Sequence, residues 1–96
     1  MKENLHLTVL YEYYKELLTE KQREYFEDYY FDNLTLSEIA ANNEVSRNAI
    51  HKQIKDVESK LLEYESKLNL ALKSEKINKL IENIDEKIKE EIKEIL

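Results

Sequence analysis

The 96-residue chain contains no glycine, no proline and no cysteine. Each absence removes a class of chemistry. Without glycine there is no loop in which backbone amides can close on a phosphate, so nucleotide hydrolysis by a Walker loop and dinucleotide binding by a glycine fingerprint are excluded. Without cysteine there is no disulfide, no thiolate metal site and no cysteine nucleophile, a usage compatible with a reducing cytoplasm. No apolar run approaches the roughly 20 residues that span a bilayer, and the opening MKENLHLTVL is too polar for a signal peptide. A soluble, cytoplasmic protein with no membrane insertion is expected.

What is present is a high content of Lys, Glu, Leu, Ile and Tyr, which favours long helices over tight hairpins. The expected architecture is all-α. It is a single helical domain over 1–96, with a helix-turn-helix over 35–55 and a C-terminal helical extension over 56–96. The net charge of -6 looks wrong for a nucleic-acid binder, because contact with phosphate needs local positive charge. The distribution answers this. Residues 1–33 carry 4 basic and 8 acidic groups, residues 34–60 carry 4 and 4, and residues 61–96 carry 7 and 9. Within the neutral middle, Val45 to Lys55 holds Arg47, Lys52 and Lys55 and no acid.

Apolar spacing of three and four predicts a first helix from Glu3 to Leu18, with Leu7, Leu10, Tyr11, Tyr14, Leu17 and Leu18 on one face. Thr19 and Gln22 have capping-box spacing and open a second helix through Tyr25, Phe26, Tyr29 and Tyr30, which closes near Asn33, a residue tolerant of left-handed backbone. A second capping box, Thr35 with Glu38, opens a short helix that stops at Asn42-Asn43. Ser46 then caps a long helix. Ile50, Ile54, Val57, Leu61, Tyr64, Leu68 and Ala71 alternate by four and three along it, a coiled-coil seam of about three heptads. Ser74 marks the weak point, and a final helix carries Ile77, Leu80, Ile81, Ile84, Ile88, Ile92, Ile95 and Leu96.

LSEIAANNEVSRNAIHKQIK, Leu36 to Lys55, has the layout of two helices crossing steeply through a short turn. Ile39 faces the core, Ala40 is small where the second helix crosses, Val45 plugs the turn, and Ile50 and Ile54 anchor the second helix. The turn itself is irregular. Either Asn43 takes the left-handed conformation with a shifted turn, or Glu44 takes it at a cost of about 1 kcal/mol. The solvent face of the second helix is Arg47, Asn48, His51, Lys52 and Lys55, with Ser46 at its start. In the docking geometry of such motifs this face enters the major groove, where Arg47 suits a guanine edge, Asn48 an adenine, and Lys52 and Lys55 phosphates.

The segments LTEKQ, YY followed by LTLSEIA, and VSRNAI give residues 5–72 a resemblance to the YlxM family of small bacterial helix-turn-helix proteins. That resemblance implies a fold similar to region 4 of sigma factors. It also implies nucleic-acid binding and an accessory or regulatory role in the signal recognition particle pathway, with a component of that particle as a candidate partner. The tail from Ile77 carries no specific part of the resemblance.

The nucleic-acid face is therefore expected at Ser46, Arg47, Asn48, His51, Lys52 and Lys55, for DNA or RNA alike. The seam can pack against the final helix within the chain or pair with a second chain; a homodimer is expected, through Ile54, Val57, Leu61, Tyr64 and Leu68, because the seam offers more apolar stripe than one small domain covers. The alternative is a protein-interaction module of the same pathway, docking a protein through the acidic helical surface of residues 1–33. Six tyrosines at helical spacing, Tyr11, Tyr13, Tyr14, Tyr25, Tyr29 and Tyr30, read as core packing, with Tyr13 off the stripe. His6 and His51 have no ligand at the next helical turn, and the carboxylates are spread over solvent faces with lysines nearby. Neither a metal site, a cofactor nor an enzymatic activity is expected.

Overall fold

Local capping decides where helices begin in a chain without proline. The computed structural model describes residues 4–96, so the expected first residue of the first helix, Glu3, lies outside the described residues. The described residues form six α-helices and no strand: α1 Leu5–Tyr14, α2 Glu20–Tyr30, α3 Leu36–Asn43, α4 Arg47–Leu68, α5 Leu70–Leu80 and α6 Glu86–Ile95. Both expected capping boxes are complete. The Thr19 hydroxyl accepts from the Gln22 N–H at 3.1 Å while the Gln22 side chain accepts from the Thr19 N–H at 3.0 Å. Thr35 and Glu38 do the same at 3.1 and 2.9 Å.

The first helix is shorter than its apolar spacing predicts. After Tyr14 the chain tightens into a 3-10 turn over Lys15–Leu17, and Arg23 of α2 reaches back to the Lys15 and Leu18 carbonyls. Three residues per turn rotate Leu17 off the stripe, and it stands 55% exposed.

Two apolar clusters meet along α4. One joins Leu7, Leu10, Tyr11, Tyr14 and Leu18 to Phe26, Val57 and Leu61. The other joins Leu36, Ile39 and Ala40 of α3 to Ile50 and Ile54, with Tyr25 and Tyr29 of α2 packed against it. Tyr30 touches both. The expected seam is thus covered from within the chain, by α1, α2 and α3, and not by the final helix. This corrects the expected dimer interface. Ile54, Val57 and Leu61 are 2%, 0% and 0% exposed, so no second chain can reach them in the folded protomer. Tyr64 is half-buried against Tyr14, ring centroids 5.9 Å apart, and Leu68 alone of the five is exposed. The cause is general: a period of four and three states that a helix has a partner and says nothing of which chain supplies it.

Three tyrosine hydroxyls donate to glutamates across helix pairs. Tyr11 bonds Glu27 and ties α1 to α2, Tyr30 bonds Glu58 and ties α2 to α4, and Tyr14 bonds Glu65 at 2.5 Å and ties α1 to α4. Each phenol is buried at its ring and polar at its tip, so a carboxylate at the rim satisfies the hydroxyl without burying a charge. The three links close a triangle.

The long helix ends at Leu68, not near Ser74. Asn69 takes left-handed backbone, φ 54°, and α5 starts at once. Its first amides have no side-chain cap of their own. They are met from elsewhere: the Leu70 N–H donates to the Tyr14 hydroxyl at 3.1 Å, and the Ala71 and Leu72 N–H groups donate to the two Glu65 carboxylate oxygens at 3.2 and 3.1 Å. A further turn at residues 81–84 separates α5 from α6, whose N-cap Asp85 accepts from the Lys87 N–H.

Candidate nucleic-acid interface

The turn between α3 and α4 settles the alternative left open by the sequence. Glu44 is the left-handed residue, φ 54° and ψ 42°, and Asn43 stays helical with its side chain donating to the Ile39 carbonyl at 2.8 Å. The Glu44 N–H donates to the Ala41 carbonyl at 3.3 Å and the Val45 N–H to the Ala40 carbonyl at 3.1 Å. This is the Schellman pattern that normally uses glycine. Val45 does not plug the turn as expected. It is 43% exposed, because the residue after the left-handed position is turned outward along a groove beside α2.

Ser46 closes the turn, its hydroxyl accepting from the Ala49 N–H at 3.0 Å. The first turn of α4 contains no acid. Ile50 and Ile54 point into the core, which fixes the opposite face outward: Arg47, Asn48, His51, Lys52 and Lys55 are all exposed, as is Ser46. All six expected residues are exposed along the first three turns, with Asn48, Lys52 and Lys55 farthest from the buried face. The side chains of Arg47, Asn48, His51 and Lys52 make no hydrogen bond or ion pair with another described residue. Lys55 differs. Its ammonium lies 3.3 Å from Glu58, the same carboxylate that holds Tyr30, so the positive face fades after three turns.

Arg47 occupies the first helical position, where the positive end of the helix dipole disfavours a cation by about 0.3–1 kcal/mol. Its placement there weakens the helix and, with the free amides of that turn, concentrates positive charge at the point nearest an incoming phosphate.

One part of the surface was not legible from the sequence. A groove of about 470 Å³ adjoins the start of α4, lined by Thr19, Lys21, Gln22 and Tyr25 on one side and Val45, Ala49, Ile50 and Gln53 on the other. Lys21 crosses its mouth, bonding the Asn43 side-chain oxygen at 3.0 Å and Glu24 at 3.1 Å, with its ammonium 5.7 Å from the Tyr25 ring centroid. The LTEKQ segment held the only signal, since it places Lys21 and Gln22 on the turn of α2 that α4 passes.

Past Lys21 the same side of α2 is acidic. Asp28 of α2 is half-buried, and its carboxyl is pushed up by that burial and by the neighbouring Asp32, Glu24 and Glu27. Among the described residues no group of His, Asp or Glu is arranged to hold a metal ion, and no helix is long and apolar enough to cross a membrane.

The chain is similar in sequence to known proteins over most of its length. Residues 1–96 match the family described as "UPF0122: Putative helix-turn-helix protein, YlxM / p13 like". The match includes the tail from Ile77, which the shorter resemblance read from the sequence had left out. A UPF0122 protein of Clostridium botulinum (strain Alaska E43 / Type E3) is 48% identical over 90 residues, 94% of this chain and 83% of that protein. Similar proteins of the same description occur in Halalkalibacterium halodurans, 41% identical over 88 residues with 92% and 81% covered, and in Bacillus thuringiensis (strain Al Hakam), 40% over 91 residues with 95% and 83% covered.

Proposed function

The chain belongs to the UPF0122 family of helix-turn-helix proteins, and from that premise we propose that it binds nucleic acid through the first three turns of α4. It does so as a homodimer and as a cytoplasmic accessory or regulatory factor of the signal recognition particle pathway. The observation that carries the binding is the exposed, acid-free start of α4, where Arg47, Asn48, His51 and Lys52 are exposed without hydrogen-bond or ion-pair partners among the described residues, in an otherwise acidic chain. Arg47 and Asn48 sit where base edges are read, while Lys52 and Lys55 sit where phosphates run. The groove at Lys21 and Gln22 adds donors on the flank of the same helix. The pathway role rests on the resemblance to YlxM proteins. No catalytic step is part of this function.

The test is binding of the purified protein to duplex DNA and to the particle's RNA over a range of salt concentrations. Arg47→Glu with Lys52→Glu should lower affinity at least about tenfold and reduce the slope of log K against log salt by about 2 per protomer. Placing an acid at position 47 favours the helix dipole, so a loss of binding would not be a loss of folding. Unchanged affinity for both nucleic acids would remove α4 as the reading helix.

A second reading is favoured by the acidic surface of α2, where Glu24, Asp28 and Asp32 crowd one another. In it the chain docks a basic protein surface of the same pathway. Capture of a pathway protein that survives the two α4 reversals and is lost on Glu24→Lys with Asp32→Lys would select this reading.

A further inference from the structure

The C-terminal third carries apolar surface that the protomer covers only in part. Helix α6 is strongly two-sided: Ile88, Ile92 and Ile95 share one face, with Ile88 and Ile95 49% and 85% exposed and Ile92 half-buried. It packs only marginally on the rest of the chain. A helix of 10 residues is below the length at which an isolated helix is stable in water, so this face needs a cover.

A matching surface lies beside it. Between α1 and α5 runs an open groove of about 1050 Å³, lined by Leu5, Val9 and Tyr13 of α1 and Ala71 and Leu72 of α5, with Lys89 and Lys93 of the protomer's own α6 along one edge. Leu5 is 81% exposed. These residues lie on the outer side of α1, away from the stripe that packs on α4.

We propose that the occupant is a second copy of this chain: α6 of each protomer lays its isoleucine face into the α1–α5 groove of the other. Two observations select this occupant. Groove and helix face sit on the same protomer, so a twofold axis fills both grooves and covers both α6 helices in a closed pair. The charges also match across that pairing. Residues 69–80 carry three lysines against one glutamate, and residues 81–96 carry six acids against three lysines, so each α6 segment brings net negative charge to a net positive α5. The proposal rests on the dimeric reading above and moves the interface from the buried seam of α4 to the outer faces of α1, α5 and α6.

Sedimentation equilibrium on the full chain tests it, with three single substitutions on the three walls: Leu5→Asp, Leu72→Asp and Ile88→Asp. All three side chains are exposed in the protomer, so helical content by circular dichroism should persist in each. The wild type is expected to be a dimer, each substitution to weaken association at least about tenfold, and Glu90→Gln, on the polar face of α6, to leave it unchanged. A wild type that stays monomeric at its highest soluble concentration overturns the dimeric reading and this interface together. A wild-type dimer that none of the three substitutions dissociates overturns the interface and leaves the dimeric reading standing.

Discussion

Glu44 holds the one backbone conformation in the helix-turn-helix that a side chain makes expensive, at about 1 kcal/mol relative to glycine. Glu44→Gly should therefore stabilise the protein by up to about that amount, raising the midpoint of thermal unfolding by about 4–8 °C for a chain of this size. No loss of nucleic-acid affinity should accompany it. The tyrosines make the other residue-scale argument. Burial, then the hydrogen bond to a glutamate, pushes the hydroxyls of Tyr11, Tyr14 and Tyr30 above the ordinary value of 10. A group with a raised folded pKa contributes stability that is fully present below its unfolded value and is lost as pH rises toward the folded one. Alkaline titration should show these three ionising late and together with loss of helix, and Tyr14→Phe should remove one late-titrating group from the absorbance curve. What could be read in the sequence at this scale was local. Thr19 with Gln22, Thr35 with Glu38, and Ser46 were legible because each cap bonds an amide within three residues.

At the scale of elements the α4–α5 junction shows where such reading stops. Asn69, tolerant of left-handed backbone as Asn33 is, gives only a weak signal of a break, because the groups that stabilise it are distant: Tyr14 lies 56 residues from Leu70. Glu65 is the pivot. Partial burial opposes its charge, but the Tyr14 hydroxyl and the Ala71 and Leu72 amides outweigh this and hold its carboxyl below the ordinary 4.5. A depressed folded pKa contributes stability that is present at neutral pH and is lost as pH falls through the carboxylate range toward the folded value. Acidification should release α5 before the rest, seen as early shifts of the Leu70 to Leu72 amide resonances. Glu65→Gln should weaken this docking by about 1 kcal/mol, below the roughly 1.5–3 kcal/mol of charge-assisted bonds because the carboxylate is half-exposed. The crossing of α3 and α4, by contrast, was legible within twenty residues, from Ile39, the small Ala40, Ile50 and Ile54. Ala40→Leu should overpack it and cost about 1–3 kcal/mol in chemical denaturation.

The whole molecule is drawn out, 53 Å long against 25 and 22 Å across, with a radius of gyration of 16.6 Å where about 12 Å suits a compact domain of this length. The reading helix starts from one cluster and the uncovered apolar surface lies past the other. The all-α class and the position of the helix-turn-helix followed from composition and caps. The tertiary partner of the α4 seam did not, since Val57 and Leu61 would show the same spacing against α1 as against another chain. The tyrosine–glutamate triangle has a consequence for motion. Because α1, α2 and α4 are each tied to both others, no one of them can open without breaking two links, and their amides should exchange with solvent only through a shared, global opening. Helix α6 stands outside the triangle. In the free protomer its amides should exchange fastest of all six helices, and how far they slow as concentration rises is a direct measure of what covers it.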